Sequence, residues 1–261
     1  MTTLALFGGV YSNPHALRAV LADSAARGDA QVWCLGDLGG FGPDPEACAA
    51  LLRDARVPML QGNYDHSIGH ALADCACGYS DPRDVHFAQV SYDFTNARVG
   101  AATREWLRTL QPQARLVVEG RRVLLCHGSP RRVNEFLWDS ACSDAFLSWL
   151  CDTYEADVIA CTHTGLHWSR ALPGGRHVVN VGAIGRPAHD GRTCVWYAAL
   201  TFADDGTLDV TFRPVQYDHE ALALHMEREG LPAEFIETIR TGWWTTCLEN
   251  VPVKERGRRG L

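Results

Sequence analysis

The first sixty residues alternate apolar runs of strand length with stretches of helical period, which confines the chain to a sheet with helices packed on it. "LALF" is followed by "PHALRAVLADSAARG", with Pro14 at the first helical turn and Gly28 past the last. "QVWCLG" reads as a second strand, "DPEACAALLRDA" as a second helix entered through Pro45, and "VPMLQGN" as a third strand. Strands separated by single helices of this length pair in parallel through βαβ crossovers, and sheets of that kind gather ligands beyond the carboxyl ends of their strands.

The pattern then changes. Residues 80–109 are helical in period, with Trp106 and Leu110 expected as core anchors, and "ARLVVEGRRVLLCH" is a hairpin turned at Gly120. "SDAFLSWLCDTYEA" reads as a helix and "ADVIAC" as a strand. "HWSRALPGGRHVVNV", "TCVWYAALTF" and "LDVTFRPVQY" supply three or four more strands, and "DHEALALHMEREG" and "PAEFIETIRTG" two late helices. No repeat, low-complexity linker or shift in composition divides the chain, so residues 1–261 are expected to form a single domain.

The chain carries ten cysteines and starts "MTTLALFGGV", without a basic segment leading into a long apolar one. A cytoplasmic protein with reduced thiols is the expectation. Cys75 and Cys77 in "DCACG" lie close to His66 and His70, which stand four apart; a surface loop is the plainer reading than an accessory metal site, because structural zinc sites space their thiols by two to four residues. A formal charge of −7 argues against a general nucleic-acid binder. The basic tail "VKERGRRG" reads as a solvated terminus, and no apolar run is long enough to span a membrane.

Four polar residues follow apolar runs: Asp37 in "CLGDLGG", Asn63 in "QGNYD", His127 in "LLCHGSP" and His163 in "CTHTG". If their strands share an edge, one carboxylate, one amide oxygen and two imidazoles form a shell for a divalent transition metal such as Mn, Fe or Zn. Arg131, Arg132, Arg186 and Arg192 lie in loops near that edge, and guanidinium forks suit phosphate. Arg131 and Arg186 are the candidates for phosphate binding.

In order, these segments resemble the calcineurin-like metallophosphoesterases, whose motifs run D-x-H, G-D, G-N-H-D/E, H and G-H-x-H. Gly36 and Asp37 match the second motif, Gly62, Asn63 and Asp65 the third, His127 the fourth and His163 the last, while "VVNVGAIGRPAHDG" is similar to a late segment of the family. The likeness covers roughly residues 3–202, and residues 203–261 are expected to add a strand and helices. It implies an α/β fold, a four-layer αββα sandwich of two mixed sheets flanked by helices.

The departures are as informative as the matches. Gly9 and Tyr11 stand where the first motif has its aspartate and histidine, Tyr64 replaces the third-motif histidine, and Gly165 replaces the final histidine. The resemblance implies two metals bridged by Asp37. The first has lost its other ligands, whereas Asp37, Asn63, His127 and His163 of the second remain, so one ion per chain is expected. Tyr64 and Asp65 are the candidate catalytic groups. Tyr11 as a phenolate ligand, or Cys161 or His167 as substitutes, are minor alternatives. The resemblance implies a phosphomonoesterase or phosphodiesterase of weakened or lost activity, acting on a small phosphorylated molecule or a phosphoprotein. The alternative is a catalytically silent phosphate- or nucleotide-binding regulatory module.

Overall fold

A computed structural model describes residues 1–256. Strand β1 (Thr2–Phe7) leads to helix α1 (Pro14–Arg27), β2 (Gln31–Cys34) and α2 (Pro45–Asp54). Three helices follow, α3 (Asn63–Gly69), α4 (Pro82–Arg98) and α5 (Ala101–Thr109), then the hairpin β3 (Gln113–Val118) and β4 (Arg121–Cys126). Helix α6 (Asp144–Thr153) precedes β5 (Val158–Cys161), β6 (His167–Ala171), β7 (His177–Val181), β8 (Val195–Phe202) and β9 (Leu208–Val215). The described chain closes with α7 (His219–Arg228), α8 (Ala233–Thr241) and α9 (Val253–Arg256).

The strands form two mixed sheets, ordered β2-β1-β8-β9 and β3-β4-β5-β7-β6. Alternation along the strands stacks them. On β1, Leu4 and Leu6 pack with Val158 and Ala160 of β5 and Leu200 of β8 between the sheets. Ala5 and Phe7 point the other way, onto Leu17 and Val20 of α1. On β5, Ile159 and Cys161 pack beneath Leu147 and Leu150 of α6. A period-two strand with both faces apolar is satisfied only when both faces are covered, and the result is the four-layer sandwich. Strand β9 extends the first sheet through β8, from Val195↔Val215 to Phe202↔Leu208.

Several local expectations are corrected. "VPMLQGN" does not form a strand: it makes isolated bridges at Cys34↔Met59 and Leu60↔Gln111, because α3 begins at Asn63 and ends the extended run. The helical stretch 80–109 breaks at Val99 and Gly100, and its buried anchors on α5 are Thr103 and Leu107; Trp106 and Leu110 are only partly buried. Cys75 and Cys77 are not free thiols but are joined to each other by a disulfide, while the other eight cysteines are free. The tail is only partly open to solvent. Glu255 is buried and accepts the N–H of Ser140 at 2.8 Å and its hydroxyl at 2.7 Å, and residues 257–261 lie outside the described residues. Among the described residues, no helix is long and apolar enough to cross a membrane.

Candidate metal centre

Strands β1 and β2 run parallel in one sheet and β4 and β5 in the other, so the segments leaving their carboxyl ends meet at one edge. Asp37 follows β2, His127 follows β4 and His163 follows β5. One potential ligand atom from each lies within 4.8 Å of the other two, and all three residues are buried. Asp37 and His163 hold φ angles of 60° and 69°, a left-handed conformation that costs a side-chain-bearing residue energy and recurs at functional sites.

Hydrogen bonds fix which atom each group turns inward. His127 donates from Nδ1 to the Leu35 carbonyl at 2.7 Å, and His163 donates from Nε2 to the Cys77 carbonyl at 3.2 Å. A carbonyl only accepts, so both tautomers are set, and the remaining ring nitrogens of the neutral imidazoles are lone pairs. Those nitrogens, His127 Nε2 and His163 Nδ1, stand 3.2 Å apart, with Asp37 Oδ2 3.1 Å from the first. Two lone pairs and a carboxylate at this range repel one another unless a proton or a cation lies among them.

Asn63 adds a further acceptor. Its Nδ2 donates to the Cys75 carbonyl at 2.9 Å, and its Oδ1 is buried without a hydrogen-bond partner. An orphaned buried amide oxygen costs about 1–3 kcal/mol, which a bound ion would recover. One carboxylate and two imidazole nitrogens, each with its far side tied to backbone, are a donor set that fits Mn, Fe or Zn, and the unpartnered Asn63 oxygen is the candidate fourth donor.

The charges within the cluster shift its three groups in different directions. Burial lowers the pKa of His127, but the charge and hydrogen bond of Asp37 reverse this and raise it overall. Burial first and the His127 charge second push His163 down to about 3. Burial lifts Asp37, yet the two imidazoles more than compensate and leave it lowered.

Asp65 does not face this cluster. Its carboxylate accepts the N–H groups of Asp37 at 2.8 Å, Leu38 at 2.9 Å and Gly62 at 2.7 Å, so it ties the Asp37 turn to the start of α3. Burial and the Asp37 charge push it up to about 6, against those three amides. The Tyr64 hydroxyl rests on α4, 3.1 Å from Ser91 Oγ and 3.4 Å from the Ala88 carbonyl, and burial raises its pKa far above the ordinary phenol value.

Beside the cluster is a cavity of about 50 Å³, lined by Tyr11, Asp37, Tyr64, His163, Arg186 and Cys247 among others. Arg186 is 6% exposed, and its Nε is buried without a partner. Its guanidinium lies 3.5 Å from the centre of the Trp244 ring, and among the described residues no carboxylate pairs with it. The other candidate arginines are placed elsewhere. Arg131 pairs with Glu135 and lies over Phe146, Arg192 pairs with Asp190 at 2.6 Å, and Arg132 is exposed.

Side chains occupy the space around the substituted positions. A Cβ on Gly9 would lie 2.8 Å from the Tyr11 ring, and one on Gly165 2.9 Å from Trp244 and 3.4 Å from the Arg186 guanidinium. Cys161 packs in the core under α6, and His167 packs on Trp196 and Phe212. His66 and His70 contact one another at 4.6 Å on the exposed side of α3. Sequence reasoning missed Trp244, Cys247 and the Leu35, Cys75 and Cys77 carbonyls. Backbone groups carry no side-chain signal, and "GWWTTC" has no period that marks a site.

The fold and this edge define a metallophosphoesterase-like centre, and comparison with known proteins agrees. The chain belongs to the calcineurin-like phosphoesterase superfamily, whose domain model matches residues 7–205. It is similar to an uncharacterised protein of Methanocaldococcus jannaschii, 23% identical over 255 residues that cover 92% of this chain and 98% of that protein. In structure it resembles a metallophosphoesterase from Sphaerobacter thermophilus, with TM-score 0.70, 24% identity and coverage of 92% and 99% of the two chains. It also resembles a hypothetical protein from Pyrococcus horikoshii OT3, with TM-score 0.75, 20% identity and coverage of 94% and 100%.

Proposed function

We propose that the chain holds one divalent transition metal through Asp37, Asn63, His127 and His163 and presents it to a phosphate group recognised by Arg186, with hydrolysis weak compared with an intact two-metal centre. The observation that carries this is the facing pair of lone pairs on His127 and His163 beside Asp37, with the unsatisfied Asn63 oxygen. When bound, such an ion supplies Lewis acidity and a water of lowered pKa.

The protein's own groups do the rest. Arg186 offers a fixed positive charge to phosphoryl oxygens from the wall of the cavity that Asp37 and His163 also line. Tyr11 over Gly9, and Trp244 over Gly165, occupy the region from which a second ion's ligands would reach. Tyr64, anchored on Ser91 with a raised pKa, is a poor acid for a leaving group. Loss of several kcal/mol of transition-state stabilisation lowers the rate by at least roughly a thousandfold.

A second reading, a phosphate-binding module without turnover, is favoured by the same buried guanidinium, since a charge withdrawn from water needs a counter-charge. Metal analysis and hydrolysis of aryl phosphate mono- and diesters with added Mn²⁺ test the proposal, with His127→Ala as control. About one ion per chain and slow turnover lost in that variant support the enzyme reading. Phosphate binding without turnover supports the module. Two ions per chain, or turnover untouched by His127→Ala, overturns the one-ion centre.

A further inference from the structure

We infer that the disulfide-closed turn Cys75–Ala76–Cys77 orients two of the metal ligands, and that its thiol–disulfide state governs how tightly the chain holds its ion. The inference rests on Asn63 and His163 being ligands. Three successive carbonyls of the turn each accept from a side chain: Cys75 from Asn63 Nδ2 at 2.9 Å, Ala76 from Asn134 Nδ2 at 2.9 Å and Cys77 from His163 Nε2 at 3.2 Å.

Two of those bonds decide what the ion sees. A bond from the amide nitrogen on one side turns the amide oxygen to the other, and the Cys75 carbonyl fixes Asn63 in this way. An imidazole offers Nδ1 only if Nε2 carries the proton, and the Cys77 carbonyl does this for His163. The Cys77 sulfur also lies 3.4 Å from Asn63 Nδ2.

The turn is short, left-handed at Ala76 (φ 50°) and belongs to no strand, so the cross-link between residues 75 and 77 restrains a segment that no ladder holds. It also separates two hollows. Cys77 lines the metal-side cavity, and Cys75 and Cys77 both line a second one of about 210 Å³ on the side of Val85 and Gln89. That hollow gives a small dithiol a path to the sulfur atoms.

The redox step is ordinary exchange. One thiolate of the dithiol attacks Cys77 Sγ, the bond to Cys75 breaks, and Cys75 takes up a proton. The second thiol then displaces Cys77 as a thiol and leaves the reagent as a cyclic disulfide, for two electrons and two protons in all. With the restraint gone, the Cys75 and Cys77 carbonyls no longer hold the ligands to one orientation.

The test uses the full chain and Mn²⁺, which is too hard an ion to be captured by the freed thiols. Unreduced, denatured protein should titrate eight thiols, and ten would overturn the inference. The double variant Cys75→Ser/Cys77→Ser should bind Mn²⁺ roughly 10–100-fold more weakly, the usual cost of losing the groups that orient a ligand. It should also lose most of the Mn²⁺-induced rise in melting temperature while its metal-free melting temperature changes little.

A turn with a purely structural role would instead lower the metal-free melting temperature and leave the Mn²⁺ response intact, which overturns the inference. By reciprocity, Mn²⁺ should make the disulfide more resistant to dithiothreitol by the same factor. Equal Mn²⁺ affinity in both proteins sinks the inference and spares the four-ligand centre. No Mn²⁺ binding to the oxidised wild-type chain sinks both.

Discussion

The carboxylate of Asp65 accepts the backbone N–H of Asp37 at 2.8 Å, and the backbone N–H of Tyr64 in turn donates to Asp37 Oδ1 at 3.1 Å. The start of α3 and the turn carrying Asp37 therefore hold one another, and the Asp37 carboxylate is aimed by a residue that stands outside the Asp37–His127–His163 cluster. Asp65→Asn replaces one acceptor oxygen by a donor facing amides that are already donors. We predict a loss of about 3 kcal/mol of stability, by denaturant titration, together with weaker Mn²⁺ binding. Unchanged stability would show that those amides find other partners.

Reversion at position 165 is predicted to fail alone. Gly165 has φ 78°, and a Cβ there would lie 2.9 Å from Trp244. Gly165→His pays for a left-handed backbone at ~1–2 kcal/mol and overpacks Trp244 for ~1–3 kcal/mol more. Thermal melting should therefore show clear destabilisation, relieved in part by adding Trp244→Ala. A second equivalent of metal is expected only when these two changes accompany Gly9→Asp and Tyr11→His, read by elemental analysis.

Arg186 gives the opposite sign. Among the described residues no carboxylate pairs with its buried guanidinium, so Arg186→Gln removes an uncompensated charge, and the phosphate-free protein should melt no lower than wild type. Phosphate affinity should fall roughly tenfold to a hundredfold, the worth of one charge-assisted contact, in calorimetry on the Mn²⁺-loaded chain. Arg186→Lys should not restore it, because an ammonium lacks the planar fork.

His189 is predicted to make the protein's stability fall in mild acid. It accepts the Trp244 N–H at Nδ1, 2.8 Å, and donates from Nε2 to the Arg256 carbonyl at 3.1 Å, so only the neutral ring satisfies both partners. Burial lowers its pKa, with the Arg186 charge adding to this against the Arg256 carbonyl. The unfolded chain takes up the proton near pH ~6.5 while the fold still refuses it. Stability from this residue is thus complete above that pH and declines as the pH falls below it. His189→Gln keeps one acceptor and one donor without titrating, so its melting temperature should fall less than wild type between pH 7.5 and 5.5. Equal slopes would remove His189 from the account.

The sheet-and-helix alternation, the proline helix starts at Pro14 and Pro45, the hairpin at Gly120 and the strand-end positions of Asp37, His127 and His163 were all legible in the sequence. These features depend on local period and on the chemistry of single side chains, which neighbouring residues reveal. The substitutions at Gly9, Tyr11, Tyr64 and Gly165 were visible only through the resemblance to the family's motifs, as a different residue type where those motifs have a ligand or a catalytic histidine.

Only the tertiary structure decided how those groups are used. Asp65 turns to three backbone amides, Arg131 goes to Glu135, Arg186 alone of the four candidate arginines lines the cavity, and Trp244 fills the space over Gly165. Each outcome depends on which distant backbone carbonyl, carboxylate or ring lies within about 3–4 Å, and residues as far apart as Gly165 and Trp244 share no local pattern that announces it. The pairing of Cys75 with Cys77 belongs to the same class. Two thiols separated by one residue fit a free loop or a disulfide equally well, and the carbonyl contacts to Asn63 and His163 exist only once the start of α3 and the segment after β5 come together at one edge.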